Sequence, residues 1–168
     1  MSHYREIREG IGVHKSPDLY GAIPTDPYSH TPGFAGAQQP GMTGQVKEDL
    51  ISRLGEMGVA VKEGRLEFHR HLVSGNEFLT QPSHFNFYDI DGRQHTLDLD
   101  PGAMAFTTCQ VPIVAHRCGP QKIEITRHDG SRHTIEALCL NEQTSAAIFE
   151  RSGAVRRLDV FYGFETGA

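Results

Sequence analysis

After residue 58 the chain is punctuated by three pairs of an acidic residue and glycine: Glu63-Gly64, Asp91-Gly92 and Asp129-Gly130. Such pairs tolerate the positive φ angles of a tight two-residue turn, so each predicts a β-hairpin. Val59–Val61 and Arg65–Phe68 flank the first pair, Phe85–Ile90 and Gln94–Leu99 the second, and Lys122–Arg127 and Arg132–Glu136 the third. Ala103–Thr108, Val111–His116 and Ala154–Tyr162 add further strands. Pro112 points to a sheet edge or a bulge, because proline has no N–H to give to a ladder. Residues 72–83 read as a loop, and 144–150 fit either a short strand or a helical turn. About eight to ten regularly spaced strands predict a mainly β fold, an antiparallel sandwich of the jelly-roll kind over 59–168.

One amphipathic helix, over 45–58, precedes the strands. Val46, Leu50, Leu54 and Met57 recur at helical spacing with Ile51 beside them, so one face is apolar. Gly58 is a suitable stop, and Thr43 or Gly44 a suitable N-cap. Unpaired N–H groups in the first turn suit an anion or a sugar hydroxyl. The alternative is an ordinary structural lid on a β-sheet. The P-loop pattern is absent. Upstream, glycine and proline make up about a third of residues 10–44, interleaved with tyrosine and phenylalanine. Pro24, Pro27 and Pro32 each bias the residue before them toward extended geometry. Residues 1–44 therefore read as an extended arm packed on a surface, within this chain or outside it.

The 168 residues fit one domain, and the net charge of −5 comes without any basic block, so nucleic acid is not an expected partner. No stretch has the length and apolarity of a membrane span or a signal peptide, which predicts a cytoplasmic protein without a membrane partner. The three cysteines are odd in number and lack metal-type spacing, which predicts buried, reduced thiols.

Ten histidines raise the question of a metal. His69 and His71 would face one side of a strand, and Glu77 follows. The set has a faint likeness to the cupin metal motif, without its spacing or its second half. The other reading is a pair of solvent-facing histidines. His84, His95, His128 and His133 lie near turns or alternate outward, as surface residues do. Glu48 and Asp49 early in the helix suit its dipole. Glu48 also suits a general base in a sugar cleft, with Asp26 as a second carboxylate. No nucleophile-elbow pattern is present. No cofactor is expected.

Three runs carry a resemblance: His14-Lys15-Ser16-Pro17-Asp18-Leu19-Tyr20-Gly21-Ala22, Pro24 to Pro32, and Gly36 to Glu48 with Gln38-Gln39-Pro40-Gly41-Met42-Thr43-Gly44 at its heart. They resemble the C-terminal part of large bacterial carbohydrate-active proteins, of the glycoside-hydrolase-like and cellobiose-phosphorylase-like kind, which carry an (α/α)6 barrel. The likeness continues through Leu99-Asp100-Pro101-Gly102, Phe106 to Pro112 and Ile148 to Gly153. It implies that Thr43-Gly44 matches the turn entering a late barrel helix, near a sugar or phosphate subsite, although Gln45 stands where serine would be. His14, Lys15, Tyr28, His30, Gln38 and Gln39 join Thr43 and Gly44 as candidate sugar ligands. A twelve-helix barrel does not fit in 44 residues, so the chain corresponds to the tail end of such an enzyme. The expectation is an accessory or terminal domain that binds carbohydrate or completes a partner's active site, inactive alone. Its expected partners are carbohydrate and a barrel-bearing protein or further copies of itself. A cupin-like metal-binding barrel and a structural oligomerisation module are the alternatives.

Overall fold

The computed structural model describes residues 43–164, with side chains from Leu50 onward. The chain divides between Leu54 and Gly55 into two units, and the second carries every strand described below. Helix α1, Thr43–Glu56, starts two residues earlier than its apolar periodicity predicts. Thr43 is thus inside the helix, and Glu48 lies past the first turn. The helix ends as expected at Gly58, whose φ of 80° is left-handed and whose N–H donates to the Gly55 carbonyl at 3.0 Å.

The fold is mainly β. Strands β1 (Val59–Lys62) and β2 (Arg65–Phe68) form the first hairpin. Glu63 and Gly64 both take positive φ, as the turn requires. Strands β3 (Ser83–Tyr88) and β4 (Gln94–Leu99) form the second. Its turn is fastened by Asp89, whose Oδ1 accepts from the N–H groups of Asp91 and Arg93, each at 2.9 Å. Strands β5 (Ala103–Thr108), β6 (Val111–His116), β7 (Lys122–Arg127), β8 (Arg132–Ile135) and β9 (Val155–Phe161) build a five-stranded sheet in the order β5-β6-β9-β7-β8. Strand β9 runs antiparallel to β7 but parallel to β6, so the sheet is mixed. The β6–β9 ladder begins at Ile113, one residue past Pro112, so the missing proline N–H falls where only β5 is a neighbour.

Helix α2, Glu142–Phe149, fills the stretch that fitted two readings. Asn141 decides it: its side chain accepts from Thr144 N–H at 2.8 Å and caps the first turn. Its buried Ser145 hydroxyl accepts from Leu66 N–H at 3.0 Å, which ties α2 to β2.

Alternation along the strands sorts the sheet into two faces. Ile113, Ile123, Ile125, Leu158 and Val160 point one way and are fully buried, together with Leu66 and Phe68 of β2 and Ile148 of α2. Tyr162 closes this core; its hydroxyl donates to the Met57 carbonyl at 2.7 Å. Burial pushes that phenol well above its ordinary pKa. The opposite face is apolar on one side only. There Ala103, Ala105 and Val114 pack against Leu97, Leu99, Phe85 and Leu79, which seats the β3–β4 hairpin over β5 and β6. The rest of that face, on β9, β7 and β8, is mostly polar, with Phe161 set among charged and hydroxyl side chains.

Candidate functional site

The polar half of the sheet and the underside of the β3–β4 hairpin enclose a cleft of about 830 Å3. Strand parity sets its floor. Arg157, Asp159 and Phe161 of β9 alternate with the core residues Leu158 and Val160, so all three face the cleft. Glu124 and Thr126 of β7 lie beside them in register, opposite Asp159 and Arg157. His116 of β6, opposite Phe161, completes the floor. The hairpin tip forms the roof and is pinned at two points. Gln110 Nε2 donates to the Asp89 carbonyl at 3.1 Å, and Ile90 lies against Gly153, where a Cβ would come within 2.9 Å of its Cδ1.

Stacked rings stand on both walls. Phe87 and His95 lie 5.4 Å apart at 25° on the hairpin, and His116 and Phe161 lie 4.4 Å apart at 13° on the floor. All four are half-exposed. Each imidazole is held by a carboxylate: His95 Nε2 lies 2.7 Å from Asp89 Oδ2, and His116 Nε2 lies 2.9 Å from Asp159 Oδ1. These bonds fix the ring planes.

Asp159 also accepts from Arg157 Nη2 at 2.5 Å. Burial acts to raise the Asp159 pKa, but the hydrogen bonds from His116 and Arg157 outweigh it and hold the carboxyl below its ordinary value. Asp89 is likewise held low, first by the bond from His95 and then by the Arg93 N–H. Glu124 takes the ammonium of Lys122 at 2.5 Å, and Asp91 pairs with Arg93 at 3.5 Å. Every carboxylate lining the cleft therefore has its own cation or imidazole.

The residues singled out by sequence have different fates. Asp26, His14, Lys15, Tyr28, His30, Gln38 and Gln39 lie outside the described residues, and Thr43, Gly44 and Glu48 enter only as α1 backbone. Strand β2 ends at Phe68, so His69 and His71 are not on the strand that would have aligned them. Their rings nevertheless stack, 6.5 Å apart. The carboxylate nearest His69 is Glu67, at 3.2 Å, while Glu77 belongs to a 3-10 turn, Gly75–Glu77. Among the described residues no three His, Cys, Asp or Glu side chains come together as a metal site. Cys109, Cys118 and Cys139 are free thiols, but each is partly exposed rather than buried. His95 and His128 both line the cleft; His128 is exposed, as its place near a turn predicts, while His95 is partly buried. His116, Asp159 and Arg157 were not singled out at all. The signal for two of them is present: Arg157, Asp159 and Phe161 alternate strictly with Leu158, Val160 and Tyr162.

Among the described residues no helix is long and apolar enough to cross a membrane. The chain matches no protein-family model and no curated protein sequence. What it displays is a mainly β unit with a cleft of ligand-binding size built from its own strands.

Proposed function

We propose that the β unit is a saccharide-binding module of a carbohydrate-active system, and that the cleft under the β3–β4 hairpin is its binding site. The observation that carries this reading is the pairing of half-exposed stacked rings on both walls with a row of fixed, planar polar groups between them. A sugar ring has apolar C–H faces and equatorial hydroxyls. The first pack on aromatic rings, and the second exchange hydrogen bonds with carboxylates and guanidinium groups. A cleft of about 830 Å3 has room for more than one such ring. The sequence resemblance to carbohydrate-active proteins points the same way.

Binding rather than turnover is the better reading. Glu124 and Asp159 sit in register on neighbouring strands, so their Cα atoms are about 5 Å apart. Both carboxylates line the cleft, so the two acidic groups that glycoside hydrolysis uses are present there. Hydrolysis also needs one of the two as a protonated acid with a raised pKa. Asp159 is shifted the other way, and Glu124 is paired with Lys122. The chain alone is expected to bind sugar without cleaving it.

The test is titration of the whole chain with an oligosaccharide panel, followed by backbone amide NMR shifts. Shifts centred on Phe87, His95, His116 and Phe161 are expected, with affinity about tenfold weaker in Phe87→Ala, as loss of a stacked ring implies. Absence of binding across the panel, or binding that leaves these amides unmoved, sinks the reading. Cleavage of aryl glycosides by the isolated chain, lost in Asp159→Asn, would overturn the claim that it only binds.

A further inference from the structure

One end of the cleft carries more positive charge than its carboxylates balance. After Asp91–Arg93, Asp89–His95, Asp159–Arg157 and Glu124–Lys122 are paired, Arg132, Arg156 and His128 remain without an ion-pair partner among the described residues. All three line the cleft, and all three are exposed. They cluster where β7 and β8 turn and β9 begins.

The backbone explains why two adjacent arginines reach one cleft. Along the β7–β9 ladder Thr126 pairs with Arg157 but Arg127 pairs with Val155, so Arg156 is an extra residue in β9. An insertion of this kind is a β-bulge; it kinks the strand and re-aims a side chain. Without it Arg156 would alternate to the opposite face, among Leu158 and Val160. With it Arg156 joins Arg157 in lining the cleft. Thr126 also pairs with Arg132 on its other side. Arg132 and the bulge thus flank Thr126 from both neighbouring strands. Two strand spacings separate their backbones by about 10 Å, a gap that two arginine side chains are long enough to bridge.

We propose that this bulged end is an anion subsite, and that the cleft selects acidic saccharides: sugars bearing a ring carboxylate or a phosphate ester. The inference rests on the saccharide reading of the cleft and adds the charge of the ligand. Guanidinium groups suit it because they meet carboxylate and phosphate oxygens with paired, parallel N–H donors.

The experiment is calorimetric titration of the full chain at low ionic strength with four probes: an oligogalacturonate, a hexose phosphate, the neutral oligosaccharide of the same length, and inorganic phosphate. The expected result is binding of at least one acidic saccharide about tenfold or more tighter than the neutral one, the scale of one charge-assisted hydrogen bond. That preference should shrink with added salt, and in Arg132→Ala and in Arg156→Ala, while Lys62→Ala, an exposed change of equal charge on β1, should keep it. Which acidic probe binds tells carboxylate from phosphate. Equal affinity for neutral and acidic sugars, or a preference that survives both arginine changes, overturns the anion subsite and leaves the saccharide reading standing. Inorganic phosphate bound as tightly as any sugar, with the same arginine dependence, overturns the saccharide reading. Silence from all four probes overturns both.

Discussion

Gly58 shows how much one residue can decide. Its φ is left-handed, its carbonyl accepts from His69 N–H at 2.7 Å, and a Cβ there would run into the His69 carbonyl and the Tyr162 hydroxyl. Gly58→Ala should therefore cost the strain of a left-handed residue, about 1–3 kcal/mol, plus the displacement of the buried Tyr162. A urea midpoint unchanged by this substitution would show that the contact is slack. Asp159 is decided by its neighbours instead. Its folded pKa is depressed below the ordinary 3.8, so it contributes stability that is fully present above that value. The contribution is lost as pH falls through the lower folded value. Stability measured from pH 6 down to pH 2 should fall less steeply in Asp159→Asn than in the parent chain. Parallel curves would mean that His116 and Arg157 do not favour the carboxylate.

Among the elements, the hairpins were the most legible. Acidic-residue–glycine turns are local signals, and the structure places a strand on each side of all three. The β5–β6 turn was less so, since Cys109 and Gln110 adopt positive φ without any glycine to announce it. The strands around it were still readable from their apolar runs. Helix α2 turns on one cap. Asn141→Ala should lower stability by about 1 kcal/mol, because Thr144 N–H loses its acceptor in a partly buried setting. Loss of stability in Asn141→Ala but not in Asn141→Asp would assign the effect to the cap; equal loss in both would refute it. The β3–β4 hairpin stands apart from the five-stranded sheet, so Leu99→Ala, in its contact with Ala103 and Val114, should open the cleft roof. The cost expected for a leucine of this burial is about 2–3 kcal/mol. Amide exchange that rises in β3 and β4 but not in β7 would locate the effect there.

At the scale of the molecule, sequence reached the mainly β character but not the cleft. Strand parity is local, whereas which strands become neighbours is not. Nothing near Asp159 in the sequence points to His116, 43 positions earlier, as its partner. The Arg156 bulge is equally hidden, since it exists only in the pairing of β9 with β7. The order β5-β6-β9-β7-β8 carries a further consequence, for synthesis rather than binding. The strand at the centre of the sheet is the one made last. Until residues 155–161 leave the ribosome, β6 and β7 each present an unpaired edge, and the floor of the cleft has no middle. The nascent chain can close its local hairpins early but must wait for β9 to become a sheet. That delay exposes it to mispairing with other chains, and a stop codon placed before Val155 should leave an insoluble product rather than a smaller folded one.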